Sequence, residues 1–83
     1  VLRLSKEQPQ HNISRYYLIQ IVPGLFGQWG VLREWGRIGQ PGTVRQDWYV
    51  TESEAIQAAG ILLEAKQKLG YSVTAIGYAA DES

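Results

Sequence analysis

The 83 residues contain no cysteine, so the chain can build neither a disulfide framework nor a thiolate metal site. Histidine occurs once, as His11 in the loop-like stretch QPQHN, and no second imidazole is available for a metal or for proton transfer. No apolar run approaches the roughly 20 residues of a bilayer span, and no signal peptide is visible. A soluble cytoplasmic protein with no membrane partner is the expectation. Asn12-Ile13-Ser14 fits a glycosylation sequon but, without secretory features, reads as a chance match. No Gly-Lys-Ser/Thr follows a glycine-rich loop, which excludes a P-loop. Ser53 has no base partner, and the carboxylates form no cluster with a histidine. No enzyme activity, cofactor, metal ion or small-molecule substrate is therefore expected.

An excess of either charge is also lacking. The net charge is zero, but residues 1–48 carry +3 and residues 49–83 carry −3. Five of the six basic residues in the first part are arginine: Arg3, Arg15, Arg33, Arg37 and Arg45. Such a cluster can meet phosphate at one spot but not along a long duplex. Solvated strand faces are the plainer explanation.

What is present is strand-forming sequence followed by one helix, enough for a single domain. Residues 1–7 alternate weakly and suit a short strand. Residues 16–22, 29–38 and 44–50 are rich in β-branched and aromatic side chains and are bounded by QPQHN, PGLFG and GQPG. Such short connections favour antiparallel neighbours. Thr51-Glu52-Ser53-Glu54 then has the form of a capping box. Ala55, Ala59, Leu62, Ala65 and Leu69 follow at helical spacing, with Lys66 and Lys68 near the end and Gly70 as a natural stop. A helix is expected over about 52–69, and Gly60 within it suggests close approach to the sheet. Residues 72–78 suit a last strand and 79–83 a frayed tail. The expected class is α+β: an antiparallel sheet of four to five strands with one long helix on one face.

The stretch VLREWGRIGQPG, residues 31–42, is unusual for a strand. Alternation puts Val31, Arg33, Trp35 and Arg37 on one face and Leu32, Glu34, Gly36 and Ile38 on the other. If the helix covers the second face, Gly36 makes room for it, and Trp35 stands between two arginines on the open face. That is either a structural cation–π ladder or a flat plate with guanidinium groups, suited to a base or sugar with its phosphates. The residues alone leave both readings open. Gly36-Arg37-Ile38-Gly39 and Gly39-Gln40-Pro41-Gly42 both match the GXXG pattern of an RNA-binding loop, but neither lies between two helices, so turn chemistry is the better reading.

YYLIQ at 16–20, REWGRIG at 33–39 and KLGY at 68–71, in this order, resemble the WGR domain, named for its Trp-Gly-Arg tripeptide. The likeness spans roughly residues 14–71. Such domains occur in DNA-dependent poly(ADP-ribose) polymerases, in bacterial proteins similar to a molybdate-metabolism regulator, and in small bacterial proteins. The resemblance implies a regulatory-type DNA-binding module that recognises ends, nicks or 5′ phosphates, and four cationic contacts at most make the expected affinity weak. It makes Trp35 the residue stacking on a nucleotide and Arg37 the phosphate or partner contact. Arg33 joins them from the shared face, and Ser14 and Arg15 match a pair lying near the 5′ phosphate in some relatives. Gln20, Gly36 and Gly39 take structural roles, beside the cap residues Thr51, Glu54 and Gly70. Thr43 replaces the glutamine common after the second glycine of the turn. The polymerases' catalytic part has no counterpart in these residues, so their activity does not carry over. A protein partner for the same face is the alternative to DNA.

Overall fold

Three tight reversals fold the strands back on one another. Asn12 adopts the left-handed conformation (φ 56°) and its N–H donates to Pro9 O at 3.0 Å. Gly24 N–H donates to Gln28 O at 2.7 Å, and Gln40 N–H to Arg37 O at 3.1 Å. Gly39 in the last turn has φ +87°, a region in which a Cβ is strained. The computed structural model describes residues 1–77. In chain order these form β1 (Leu2–Gln8), a 3-10 turn (Pro9–His11), β2 (Ile13–Pro23), β3 (Trp29–Arg37), β4 (Thr43–Tyr49), α1 (Glu52–Lys68) and β5 (Ser72–Ile76).

The five strands form one antiparallel sheet in the order β4-β3-β2-β1-β5. The α+β class is as expected, with the starts at 29, 52 and 72 as read and small shifts at the other boundaries; residue 78 and the tail at 79–83 lie outside the described residues. After β4 the chain crosses one sheet face as α1 and returns as β5 beside β1. The core lies between sheet and helix: Leu4, Tyr17, Ile19, Val31 and Ala55 are buried. Leu2, Ile21, Trp29, Trp35, Tyr49, Leu62 and Leu63 pack around them.

Both ends of α1 are closed as its sequence suggests. Thr51 Oγ1 accepts from Glu54 N–H at 3.1 Å. Only this half of the capping box forms among the described hydrogen bonds. At the other end Gly70 (φ +97°) donates to Gln67 O and Tyr71 to Lys66 O, both at 3.0 Å. That pair of bonds is a Schellman motif, which satisfies carbonyls the helix leaves over.

Three expectations are corrected. The helix stripe is rotated: Ala55, Ala58, Ala59, Leu62, Leu63 and Lys66 face inward, while Ala65 and Leu69 are exposed. Gly60 faces open space, with nothing within 4 Å of an added Cβ, so it does not serve a close approach to the sheet. The largest correction concerns β3. The two faces alternate as expected, but α1 covers the face bearing Val31, Arg33 and Trp35, not the one bearing Gly36. The cross-strand rows explain this. Trp35 lies opposite Tyr17, and Tyr17 opposite Leu4; Val31 lies opposite Ile21. These continuous apolar rows hold more surface to remove from water than the rows of Leu32, Glu34 and Gly36.

Candidate nucleic-acid interface

Strand register builds two adjacent rows near the C-terminal end of α1. The inner row is aromatic. Tyr17 and Trp35 stack with ring centroids 5.8 Å apart and planes within 15°, and Tyr71 meets Tyr17 edge-on at 6.3 Å. The outer row is cationic: Lys6 is directly opposite Arg15, and Arg15 directly opposite Arg37. Residues two apart on a strand share a face, so the two rows point the same way. Lys66 projects from the helix over the inner row, its Nζ 4.6 Å from the Tyr17 ring and 5.9 Å from the Tyr71 ring.

Lys6, Ile13, Arg15, Lys66, Leu69 and Tyr71 line a cleft of about 320 Å³. Lys6 Nζ donates to Leu69 O at 2.7 Å, which ties β1 to the helix end. Arg37 Nη2 donates to Asn12 Oδ1 at 3.3 Å. Among the described residues, none of Lys6, Arg15, Arg37 and Lys66 forms a salt bridge; the three that exist join Arg33 and Arg45 to Asp47 and Lys68 to Glu64. Like charges set directly opposite each other on a sheet are destabilising. A row of three with no carboxylate among them is a local field suited to an anion.

The candidate residues separate accordingly. Trp35, Arg37 and Arg15 are brought together, with Trp35 half-buried in the inner row and both arginines exposed. Arg33 is held elsewhere: its side chain is only 16% exposed, and its Nη2 donates to Asp47 Oδ2 at 3.3 Å. Its Nη1 donates to the Tyr17 hydroxyl at 3.4 Å, and its Nε is buried without a partner. The guanidinium also lies 5.6 Å from the Trp35 ring, so the structural ladder exists beside the cleft. Ser14 belongs to the alternate set of β2 residues and lies on the opposite sheet face from Arg15. Its carbonyl accepts from Ile38 N–H at 3.0 Å.

Gly36 and Gln20 also face away from α1. An added Cβ on Gly36 would stand 3.0 Å from Gly42 Cα, so the glycine admits the following loop rather than the helix. Beside it, Tyr16 donates to Glu34 Oε2 at 2.7 Å, and Arg3 lies 5.6 Å from the Tyr16 ring. That hydrogen bond, with burial adding to it, raises the Tyr16 hydroxyl above the usual 10.

Lys6, Lys66 and Tyr71 were not among the residues the sequence suggested. Signals point to two of them: Lys6 continues the Leu2–Leu4 alternation, and Lys66 stands four residues after Leu62 on the inward helix stripe.

The fold and this cleft define a small α+β binding domain with an aromatic floor and a cationic rim. The family model of the WGR domain matches residues 1–77, and the chain belongs to that family. The family is associated with nucleic-acid binding, and no catalytic family is indicated. The chain is also similar to the uncharacterized protein y4dW of Sinorhizobium fredii (strain NBRC 101917 / NGR234), at 39% identity over 70 residues. That match covers 84% of this chain and 34% of the relative, so the chain spans about a third of that protein's length.

Proposed function

We propose that the chain is a non-catalytic DNA-binding module that takes a terminal phosphate, at a 5′ end or a nick, into the cleft between Lys6, Arg15 and Lys66. Arg37 meets an adjoining backbone phosphate, and the half-buried edge of Trp35 packs against the nucleotide sugar or base. The observation that carries this reading is the cross-strand row Lys6–Arg15–Arg37, without a carboxylate among them. An aromatic floor under cations suits a nucleotide because bases stack while phosphates pair with guanidinium groups. Arg33 and Ser14 have no direct role here, since one is held by Asp47 and the other lies on the opposite face. Four cations release few counterions, so binding is weak and best measured at low salt.

Fluorescence anisotropy with nicked, blunt and intact duplexes, each nick or end carrying a 5′ phosphate or a 5′ hydroxyl, tests the proposal. The phosphorylated nick or end binds tightest, and Arg15→Ala removes most of that preference. Equal, negligible binding to all the duplexes would discard DNA in favour of a protein partner. A phosphate preference that survives in Arg15→Ala and Arg37→Ala would discard this cleft.

A further inference from the structure

The two edges of the sheet differ. β5 has five residues, and its register against β1 shifts between Arg3 and Leu4. β4 has seven, Thr43–Tyr49, in unbroken register with β3. It contains no proline, glycine or lysine, and its two charges, Arg45 and Asp47, offset each other at 3.3 Å. Natural sheets usually blunt an exposed edge with such residues or with a bulge, because its free N–H and C=O groups invite another strand. Two large apolar side chains on this strand, Val44 and Trp48, are 59% and 51% exposed.

The sequence of β4 is complementary to itself when read backwards. Two copies related by a two-fold axis perpendicular to the sheet pair antiparallel, and facing residues must then point to the same side. A centre between two residues fails, because it sets odd positions against even ones. Centring on Arg45 opposes two guanidinium groups, and centring on Asp47 opposes two carboxylates. Centring on Gln46 uses all seven residues. Arg45 then faces Asp47 of the second copy, and Asp47 faces its Arg45. On the side away from α1, Val44 faces Trp48 and Trp48 faces Val44; Thr43 and Tyr49 meet at the ends. Opposite charges and aromatic–β-branched contacts are favourable cross-strand pairs.

We propose that β4 pairs antiparallel with β4 of a second copy about Gln46, joining two five-stranded sheets into one of ten strands. The dimer keeps both α1 helices, and hence both cationic clefts, on the same side of the joined sheet.

Sedimentation equilibrium from about 10 to 500 µM, a range that reports weak association, tests the pairing. The native chain follows a monomer–dimer equilibrium. Arg45→Asp, which sets carboxylates opposite each other twice per dimer, weakens it at least tenfold. Since the chain has no cysteine, Gln46→Cys gives an independent readout. Directly opposed strand residues lie within disulfide reach, so this variant oxidises to a covalent dimer much faster than Ser53→Cys, an exposed helix control. A native chain that stays monomeric throughout the range overturns the proposal. Dimerisation unaffected by Arg45→Asp, or equal crosslinking of the two cysteine variants, overturns it as well.

Discussion

Replacing Arg15 by alanine should change the salt dependence of DNA binding by a calculable amount. Four cations reach the proposed phosphate positions: Lys6, Arg15, Arg37 and Lys66. If each neutralises one duplex phosphate, log K falls against log salt with a slope of about −3.6, a loss of roughly 150-fold between 50 and 200 mM salt. Arg15→Ala leaves three contacts, a slope of about −2.7 and a loss of roughly 40-fold over the same range. Arg3→Ala is the matched control, because it removes the same charge from the opposite face, where Arg3 lies over Tyr16. Anisotropy titrations at four salt concentrations give the slopes directly. The shallower slope in Arg15→Ala, with the native slope in Arg3→Ala, is the expected result. Equal slopes in both variants would refute the reasoning, because the charge would then act through net charge rather than through the cleft.

Gly60→Ala should stabilise the fold by about 0.5–1 kcal/mol, since the helical glycine faces open space. Thermal denaturation should show the midpoint rising by roughly 2–8 °C. Gly42→Ala should do the reverse: its Cβ would collide with the Tyr16 hydroxyl and the Trp35 carbonyl, and the second is backbone that cannot rotate away. A cost of about 3 kcal/mol, the upper end for overpacking, lowers the midpoint by roughly 12–24 °C. A change under about 0.5 kcal/mol, typical of unconstrained surface positions, would show that the loop gives way freely. Tyr16, raised by its bond to Glu34, should ionise above 10, read as the ultraviolet pH-titration difference between the native chain and Tyr16→Phe. A raised folded-state pKa stabilises the fold fully below the unfolded value near 10, and this contribution is lost as pH rises through the folded value. In Glu34→Gln the Tyr16 titration should move back towards 10.

Periodicity located the strands and the helix because each is a local pattern closed by local signals: Pro23-Gly24, Gly39 and Gly70 at the turns, Thr51 at the cap. It also separated Trp35 and Arg37 from Gly36. Which face the helix would cover was not a local property. It depended on Trp35 lying opposite Tyr17 and Tyr17 opposite Leu4, pairings between residues 18 and 13 positions apart in the chain. The same limit hid part of the cleft. Arg15 and Arg37 are visible as arginines, but Lys6 joins them only through the β1–β2 register, and Lys66 only through the rotation of α1. Arg33 shows the converse. Its place beside Trp35 was legible, whereas its capture by Asp47 required β4 to be in register with β3.

The Trp-Gly-Arg tripeptide is divided between the two sides of a single sheet. Gly36 sits against Gly42 on one side, while Trp35 and Arg37 occupy the aromatic and cationic rows on the other. A mutational scan of three consecutive letters therefore measures three different quantities. A defect at position 36 reports loop closure, and appears as a change in stability whatever the ligand. One at 37, an exposed position, reports the contact proposed for its guanidinium. At 35 the two effects are mixed, because the indole packs on the core and also carries the proposed nucleotide contact. Of the three, Arg37 is the most exposed and its side chain is held, among the described residues, only by the bond to Asn12, so its loss bears most directly on the proposed binding.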